Sequence, residues 1–272
     1  MNQRIAMIGG GNMASALVAG LVANHIDPTL IDVLDRNQDK CDRLSAKYGV
    51  NTHLCGGDWL KNVQIIVLAV KPQGMFETIE SIRSYFNENA LFISIAAGLR
   101  VGDLTRWLHS DRPVRAMPNT PALVKAGVVG VYVPDHLSEK DQTAAREVLQ
   151  VMGEMIFVPS EAQLDLLSTV SGSGPAYVFR FIEALEAAVV KRGFDPVEAR
   201  RMAILTVLGA AKLAVSSDEP PAKLRANVTS KGGTTAEALR VMDEHQFMAM
   251  MDEAVQAAYD RNQVLADQLG QR

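Results

Sequence analysis

The chain has 272 residues, of which 48% are hydrophobic and 21% charged, the balance of a soluble globular protein with room for a sizeable core. A net charge of −4 and a pI near 5.8 argue against the basic face of a nucleic-acid binder, and no apolar run approaches the roughly 18–20 residues that cross a bilayer. Two cysteines, five scattered histidines and no signal-peptide pattern point to a metal-free, cytoplasmic protein with neither nucleic acid nor membrane as partner.

The first element is the most informative. Ile5-Ala6-Met7-Ile8 reads as a strand that runs into Gly9-Gly10-Gly11-Asn12-Met13-Ala14 and restarts as a helix. Gly9 permits the tight turn, Gly11 lets backbone approach a ligand, and Ala14 allows close helix–strand packing. Free N–H groups of the new helix then face an anion. Met13, Leu17 and Leu21, flanked by Ala14 and Val18, give that helix its apolar stripe. Alone the pattern is generic. Between a strand and a helix it marks a dinucleotide site at Ile8, Gly9, Gly10, Gly11, Asn12 and Met13.

Leu30–Leu34 reads as the second strand, closed by Asp35-Arg36-Asn37, with a helix from Lys40 to Tyr48. Ile65–Val70 is continuously apolar, as expected of a parallel strand covered on both faces. Lys71-Pro72 follows, where proline opens a helix. Leu91–Ile95 leads into Ala96-Ala97-Gly98, and 114–117, 128–133 and 155–158 supply three shorter strands. This alternation predicts a doubly wound, Rossmann-type α/β sheet over 1–158. The loops holding Ala69, Val70, Lys71 and Pro72, then Ala96, Ala97 and Gly98, then Asn119, all follow carboxy-terminal strand ends, where such sheets bind ligands. A solvated lysine or a plain Asn-Thr-Pro turn is the duller reading of each alone.

From 159 to 272 only helical periodicity remains, which makes this half an all-α domain. Helices are expected to start at Gly174-Pro175 and at Asp195-Pro196. Ala203–Val215 has only Thr206 and Lys212 as polar residues, so it has to be buried on every side. A helical tail this short cannot surround its own central helix, which predicts an obligate, intertwined dimer. Two glycine-rich helix starts, 169–177 and 227–236, offer backbone N–H groups and hydroxyls together, a cradle for a carboxylate or simple N-capping.

Five motifs occur in one order: Ile8 to Ala14, Leu68-Ala69-Val70-Lys71-Pro72-Gln73, Met117-Pro118-Asn119-Thr120-Pro121, Ser171-Gly172-Ser173-Gly174-Pro175-Ala176-Tyr177 and Thr229-Ser230-Lys231-Gly232-Gly233-Thr234-Thr235. In this the chain resembles the pyrroline-5-carboxylate reductases over essentially its whole length. The resemblance implies reduction of the cyclic imine Δ1-pyrroline-5-carboxylate to L-proline with NADPH, or with NADH, as the last step of proline biosynthesis. It further implies that Thr235 hydrogen-bonds the ring nitrogen as the catalytic residue. Ser230, Gly233, Thr234 and Thr235 would take the substrate carboxylate, and Asp218 falls where the family has an acidic residue near that nitrogen. Asn227 corresponds to a residue that reaches the cofactor of the paired subunit. By the same resemblance residues 159–272 form a substrate-binding and dimerisation domain, in a homodimer or a larger assembly of dimers. Lys231 stands where many members have proline, and Gly56-Gly57 where relatives place an asparagine beside the adenosine.

Cofactor choice turns on the end of the second strand. Asp35 there would bind ribose hydroxyls and favour NAD, while Arg36, with Asn37 and Lys40 nearby, would hold a 2′-phosphate. The resemblance tilts this towards NADPH. Another cyclic imine carboxylate is an alternative substrate. The rival β-hydroxyacid dehydrogenases carry a lysine, with an asparagine four residues on, in the helix after the glycine turn, and Pro175–Glu183 contains no lysine.

Overall fold

The structure, a computed structural model, describes residues 3–271. The first half alternates as expected: β1 (Ile5–Ile8), α1 (Asn12–Ala23), β2 (Ile31–Leu34), α2 (Gln38–Tyr48), β3 (Asn51–His53), β4 (Ile65–Leu68), α3 (Met75–Ile82), β5 (Leu91–Ser94) and α4 (Val101–Leu108). It continues through β6 (Pro113–Met117), β7 (Gly127–Tyr132), α5 (Glu139–Leu149), β8 (Gly153–Phe157) and α6 (Glu161–Ser171). The second half is helical: α7 (Gly174–Val190), α8 (Pro196–Val215), α9 (Pro221–Asn227), α10 (Thr234–Glu244) and α11 (Phe247–Gly270).

Eight strands form one sheet in the order β3-β2-β1-β4-β5-β6-β7-β8. Every neighbouring pair is parallel except β6–β7. The apolar strands are buried on both faces. Ile5, Met7, Val33, Ile65 and Val67 share one core with Leu17 and Leu21 of α1 and Val148 and Leu149 of α5. Ala6, Ile8, Ile66, Leu68 and Phe92 share the other with Met75 and Ile79 of α3 and Trp107 of α4. Each such aliphatic side chain contributes about 1.5–3 kcal/mol by leaving water. The order reverses between β1 and β4, the switch point at which open α/β sheets bind ligands.

Three features depart from the sequence reading. β3 is a three-residue strand without a buried residue, which no apolar pattern announces. β4 stops at Leu68, and Ala69 N–H donating to Ile8 O at 2.8 Å is the last rung of its ladder with β1. Pro72 opens a single 3-10 turn, Pro72–Gly74, ahead of α3.

By packing, the chain divides into two units, one holding residues through 172 and those from 258 onward, the other 173–257. α6 belongs to the first because its leucines cover β7. A Cβ on Gly130 would lie 2.6 Å from Leu167 and 2.8 Å from Leu164. The end of α11 belongs there too, through Arg100–Asp267 at 2.8 Å and Arg106 Nη2 donating to Gly270 O at 2.7 Å. The sequence changes character at 159, whereas the packing changes at 172.

The second unit buries little of itself. Among the described residues α7, α9 and α10 have no buried member, and α8 has only Ala199 and Ala203. The apolar segment Ala203–Val215 is therefore not enclosed by its own chain: Leu205 is 53% exposed, Leu213 54% and Val215 90%.

Candidate active site

The glycine turn is built as its residues require. Gly9 has φ of 108° and donates its N–H to Leu34 O at 2.7 Å, tying the end of β1 to that of β2. A Cβ there would lie 2.8 Å from Ala69 O, so Ile8, Gly9, Ala69 and Val70 meet where β1 and β4 end. Gly11 is the N-cap of α1 and has no protein atom within 4 Å of where a Cβ would stand. No side chain caps α1, so the amides of exposed Asn12 and half-buried Met13 are left for an anion.

At the end of β2, Asp35 is turned inward. Its Oδ2 accepts from Gly10 N–H at 2.8 Å and Lys40 Nζ at 3.1 Å, and its Oδ1 from Asn37 N–H at 2.9 Å. Burial would raise its pKa, but the amides of Asn37 and Gly10 together with Lys40 outweigh that and hold it below the usual carboxylate value. Arg36 is exposed, and its guanidinium has no partner among the described residues. An open amide turn over bare backbone, with an unpaired cation at the neighbouring strand end, fits a dinucleotide that carries a 2′-phosphate.

Of the other groove residues, Lys71 is exposed and unpaired among the described residues, and Pro72 is half-buried beside it. Ala96 is buried and Ala97 exposed, while Gly98, at φ of 73°, lies against α11, 3.4 Å from Leu269 to its would-be Cβ. Ile95 N–H donates to Leu68 O at 3.2 Å, which sets this loop beside the end of β4. Asn119 is 7% exposed and committed internally: Oδ1 accepts from Val128 N–H at 2.9 Å and Nδ2 donates to Ser171 O at 2.9 Å. Its amide holds the loop to β7 and to the end of α6.

Sequence reasoning missed a buried charge cluster next to Ala96–Gly98. Arg115 of β6 is 4% exposed, with Nη1 at 2.8 Å from Glu161 and Nη2 at 2.8 Å from Asp165. Glu161 also accepts from Val101 N–H at 2.8 Å, and Asp165 from Gln263 Nε2 at 3.1 Å. The available signal was an arginine inside the strand Pro-Val-Arg-Ala-Met with two carboxylates one helical turn apart on α6.

In the helical unit Gly233 is the N-cap of α10 and brings no side chain of its own. The amides of Thr234, Thr235 and Ala236 are thereby uncapped, and the Thr235 hydroxyl has no partner among the described residues. Ser230 O accepts from Gly233 N–H at 3.0 Å, folding Ser230 back towards the helix start. Asn227 closes α9 and donates from Nδ2 to Glu219 at 3.1 Å. That holds the loop bearing Asp218 to α9; Asp218 itself is exposed and unpaired among the described residues. No cluster of three or more His, Cys, Asp or Glu among the described residues is arranged for a metal ion.

Two family models match the chain: pyrroline-5-carboxylate reductase dimerisation over residues 161–265, and NADP oxidoreductase coenzyme F420-dependent over 4–98. The pyrroline-5-carboxylate reductase of Pseudomonas aeruginosa is 37% identical over 269 residues, covering 98% of both chains. That of Escherichia coli is 37% identical over 268 residues, covering 98% of this chain and 99% of its own. Among solved structures, the Coxiella burnetii reductase superposes with a TM-score of 0.92 at 36% identity, over 98% of this chain and 99% of its own. The Plasmodium falciparum enzyme, with NADP bound, gives 0.84 at 29% identity, over 97% and 98%. A 3-hydroxyisobutyrate dehydrogenase of Mycobacterium tuberculosis gives 0.53 at 16% identity over 72% of this chain and 67% of its own, a likeness of fold alone.

Proposed function

The chain belongs to the pyrroline-5-carboxylate reductase family, and on that premise we propose that the Thr235 turn is the substrate end of its active site. The enzyme is an NAD(P)H-dependent oxidoreductase that reduces Δ1-pyrroline-5-carboxylate to L-proline, the last step of proline biosynthesis. The observation that carries the site reading is the start of α10, uncapped and lined by hydroxyls.

Bound NAD(P)H supplies the hydride. The protein holds the dinucleotide at Ile8–Met13, with Asp35 and Arg36 at the ribose, and along Ala69–Pro72, Ala96–Gly98 and the Asn119 loop. Ser230 and Gly233 with the Thr234 and Thr235 amides take the carboxylate, a full negative charge placed at the positive end of a helix. This fixes the ring, so that the imine carbon meets the hydride donor and water is kept out. Thr235 Oγ1 hydrogen-bonds the ring nitrogen. A hydroxyl both donates and accepts, so it follows nitrogen from iminium to amine. Because an iminium already draws the hydride, no strong acid is needed from the chain, in keeping with a helix after Gly174-Pro175 that lacks the rival class's lysine. Asp218 is assigned to the neighbourhood of the nitrogen, and Asn227 to the cofactor of a second subunit.

The poorly buried second unit supports a homodimer, or an assembly of dimers, in which a partner covers α7 and α8. Leaving Phe179 62% exposed and Leu205 53% exposed would otherwise present water with a large apolar surface. A stable monomer in sedimentation would refute this. No helix among the described residues is long and apolar enough to cross a membrane. On its role in proline biosynthesis we assign the enzyme to the cytoplasm. By function we divide the chain into a dinucleotide-binding part, 1–158, and a substrate-binding and dimerisation part, 159–272.

Thr235→Ala tests the site. Loss of a hydrogen bond to a charged group costs about 1.5–3 kcal/mol, so kcat/KM for the imine should fall roughly tenfold or more while folding is retained. Unchanged turnover removes Thr235 from the mechanism.

A further inference from the structure

Four polar residues, Asp35, Arg36, Asn37 and Lys40, follow the carboxy-terminal end of β2, and among the described residues the Arg36 side chain has no partner. An ionised carboxylate offers about four lone-pair sites. On Asp35 the donors Gly10 N–H, Lys40 Nζ and Asn37 N–H occupy three. The site left over is on Oδ1, so this acid has room for one ribose hydroxyl rather than the pair that an acid so placed takes from a cofactor without the phosphate. Lys40 is held in position by its own backbone: Asn37 Oδ1 accepts from Lys40 N–H at 3.0 Å and so caps α2. Its ammonium reaches back over the first turn to Asp35, and Arg36 is left exposed and without a partner among the described residues.

Resting on the NAD(P)H reading, we propose that Lys40 determines cofactor specificity by masking Asp35, and that this masking lets Arg36 receive a 2′-phosphate. A bare carboxylate at the strand end would repel a phosphate carrying up to two negative charges. Paired with the ammonium, it presents none. Asp35 is kept ionised by its three donors, with its pKa below the usual carboxylate value despite burial, so a cation and not a proton must cancel its charge at neutral pH. Lys40 acts here through Asp35; it is a positioning residue and does not itself grip the phosphate.

The test is dinucleotide binding to the intact enzyme without imine, followed by cofactor fluorescence for NADPH and NADH. Lys40→Met should weaken NADPH by roughly tenfold to a hundredfold, the scale of an unmasked carboxylate facing a phosphate at a partly screened site, and leave NADH within about threefold. Lys40→Arg, which keeps the charge, should retain the preference for NADPH. Asp35→Asn combined with Lys40→Met should regain most of the NADPH affinity, since there is no charge left to mask. A double variant as weak as Lys40→Met alone would mean that Lys40 contacts the phosphate directly, and would overturn the proposal. Equal weakening of both cofactors, or of neither, would overturn it as well. Wild-type protein that bound neither dinucleotide would instead overturn the reductase reading beneath it.

Discussion

A methyl group added at Gly11 tests the cofactor cradle where folding is least affected. Its Cβ would have no protein atom within 4 Å, and its φ of −73° with ψ of −177° suits any L residue. Alanine is a poorer N-cap than glycine by up to about 1 kcal/mol. The loss of chain entropy in the unfolded state returns about 0.4–1 kcal/mol, so Gly11→Ala should unfold within about 1 kcal/mol of wild type. In the proposed site the same methyl stands where a pyrophosphate approaches the amides of Asn12 and Met13. Each hydrogen bond lost to that anion costs about 1.5–3 kcal/mol, and NADPH affinity should fall at least about tenfold. Gly9→Ala should act in the opposite way. Its φ of 108° strains alanine by about 1–3 kcal/mol, and a Cβ only 2.8 Å from Ala69 O adds about 1–3 kcal/mol of overpacking. Urea unfolding and an NADPH titration on both variants separate the two effects. Wild-type affinity in Gly11→Ala would show that no anion approaches these amides, and a wild-type urea midpoint in Gly9→Ala that the turn tolerates a side chain.

Two further outcomes concern charge. Arg115→Met leaves Glu161 and Asp165 without their cation and should destabilise the enzyme by about 3–5 kcal/mol in urea; adding Glu161→Gln and Asp165→Asn should recover most of it. Asp35 has a folded pKa below its unfolded value of about 3.9, so its stabilisation is complete at neutral pH and is lost as pH falls through the folded pKa. The stability gap between wild type and Asp35→Asn should therefore be widest near neutrality and close in acid, as read from urea midpoints across that pH range.

Much of the architecture is legible because its physics is local. Ile65–Leu68 announces a doubly covered strand by lacking polar residues, and Gly9 announces the turn because its φ of 108° is one that other residues resist. Asp195-Pro196 announces α8, and Asp195 Oδ1 indeed accepts from Val197 and Glu198 N–H at 2.9 and 3.1 Å. What the sequence hides depends on distant partners. β3 is polar and exists only because β2 offers it an edge, and β7 reverses direction with no local sign of doing so. Arg115 is paired across 46 and 50 residues of chain.

The candidate site shows the same division within single side chains. Asp35 and Asn119 are the residue types that bind ribose or nicotinamide, yet here most of the hydrogen-bonding capacity of Asp35 braces the glycine turn, and the amide of Asn119 holds the loop before β7. Asp and Asn serve both purposes with the same atoms, so only coordinates distinguish an internal brace from a ligand. Arg36 and Thr235 have the complementary property. Among the described residues neither side chain has a partner: Arg36 is exposed next to the Asp35 that braces Gly10, and Thr235 lies at the uncapped start of α10. In a protein that binds anionic small molecules, such open groups support the proposal that the cofactor lies at the start of α1 and the substrate at the start of α10.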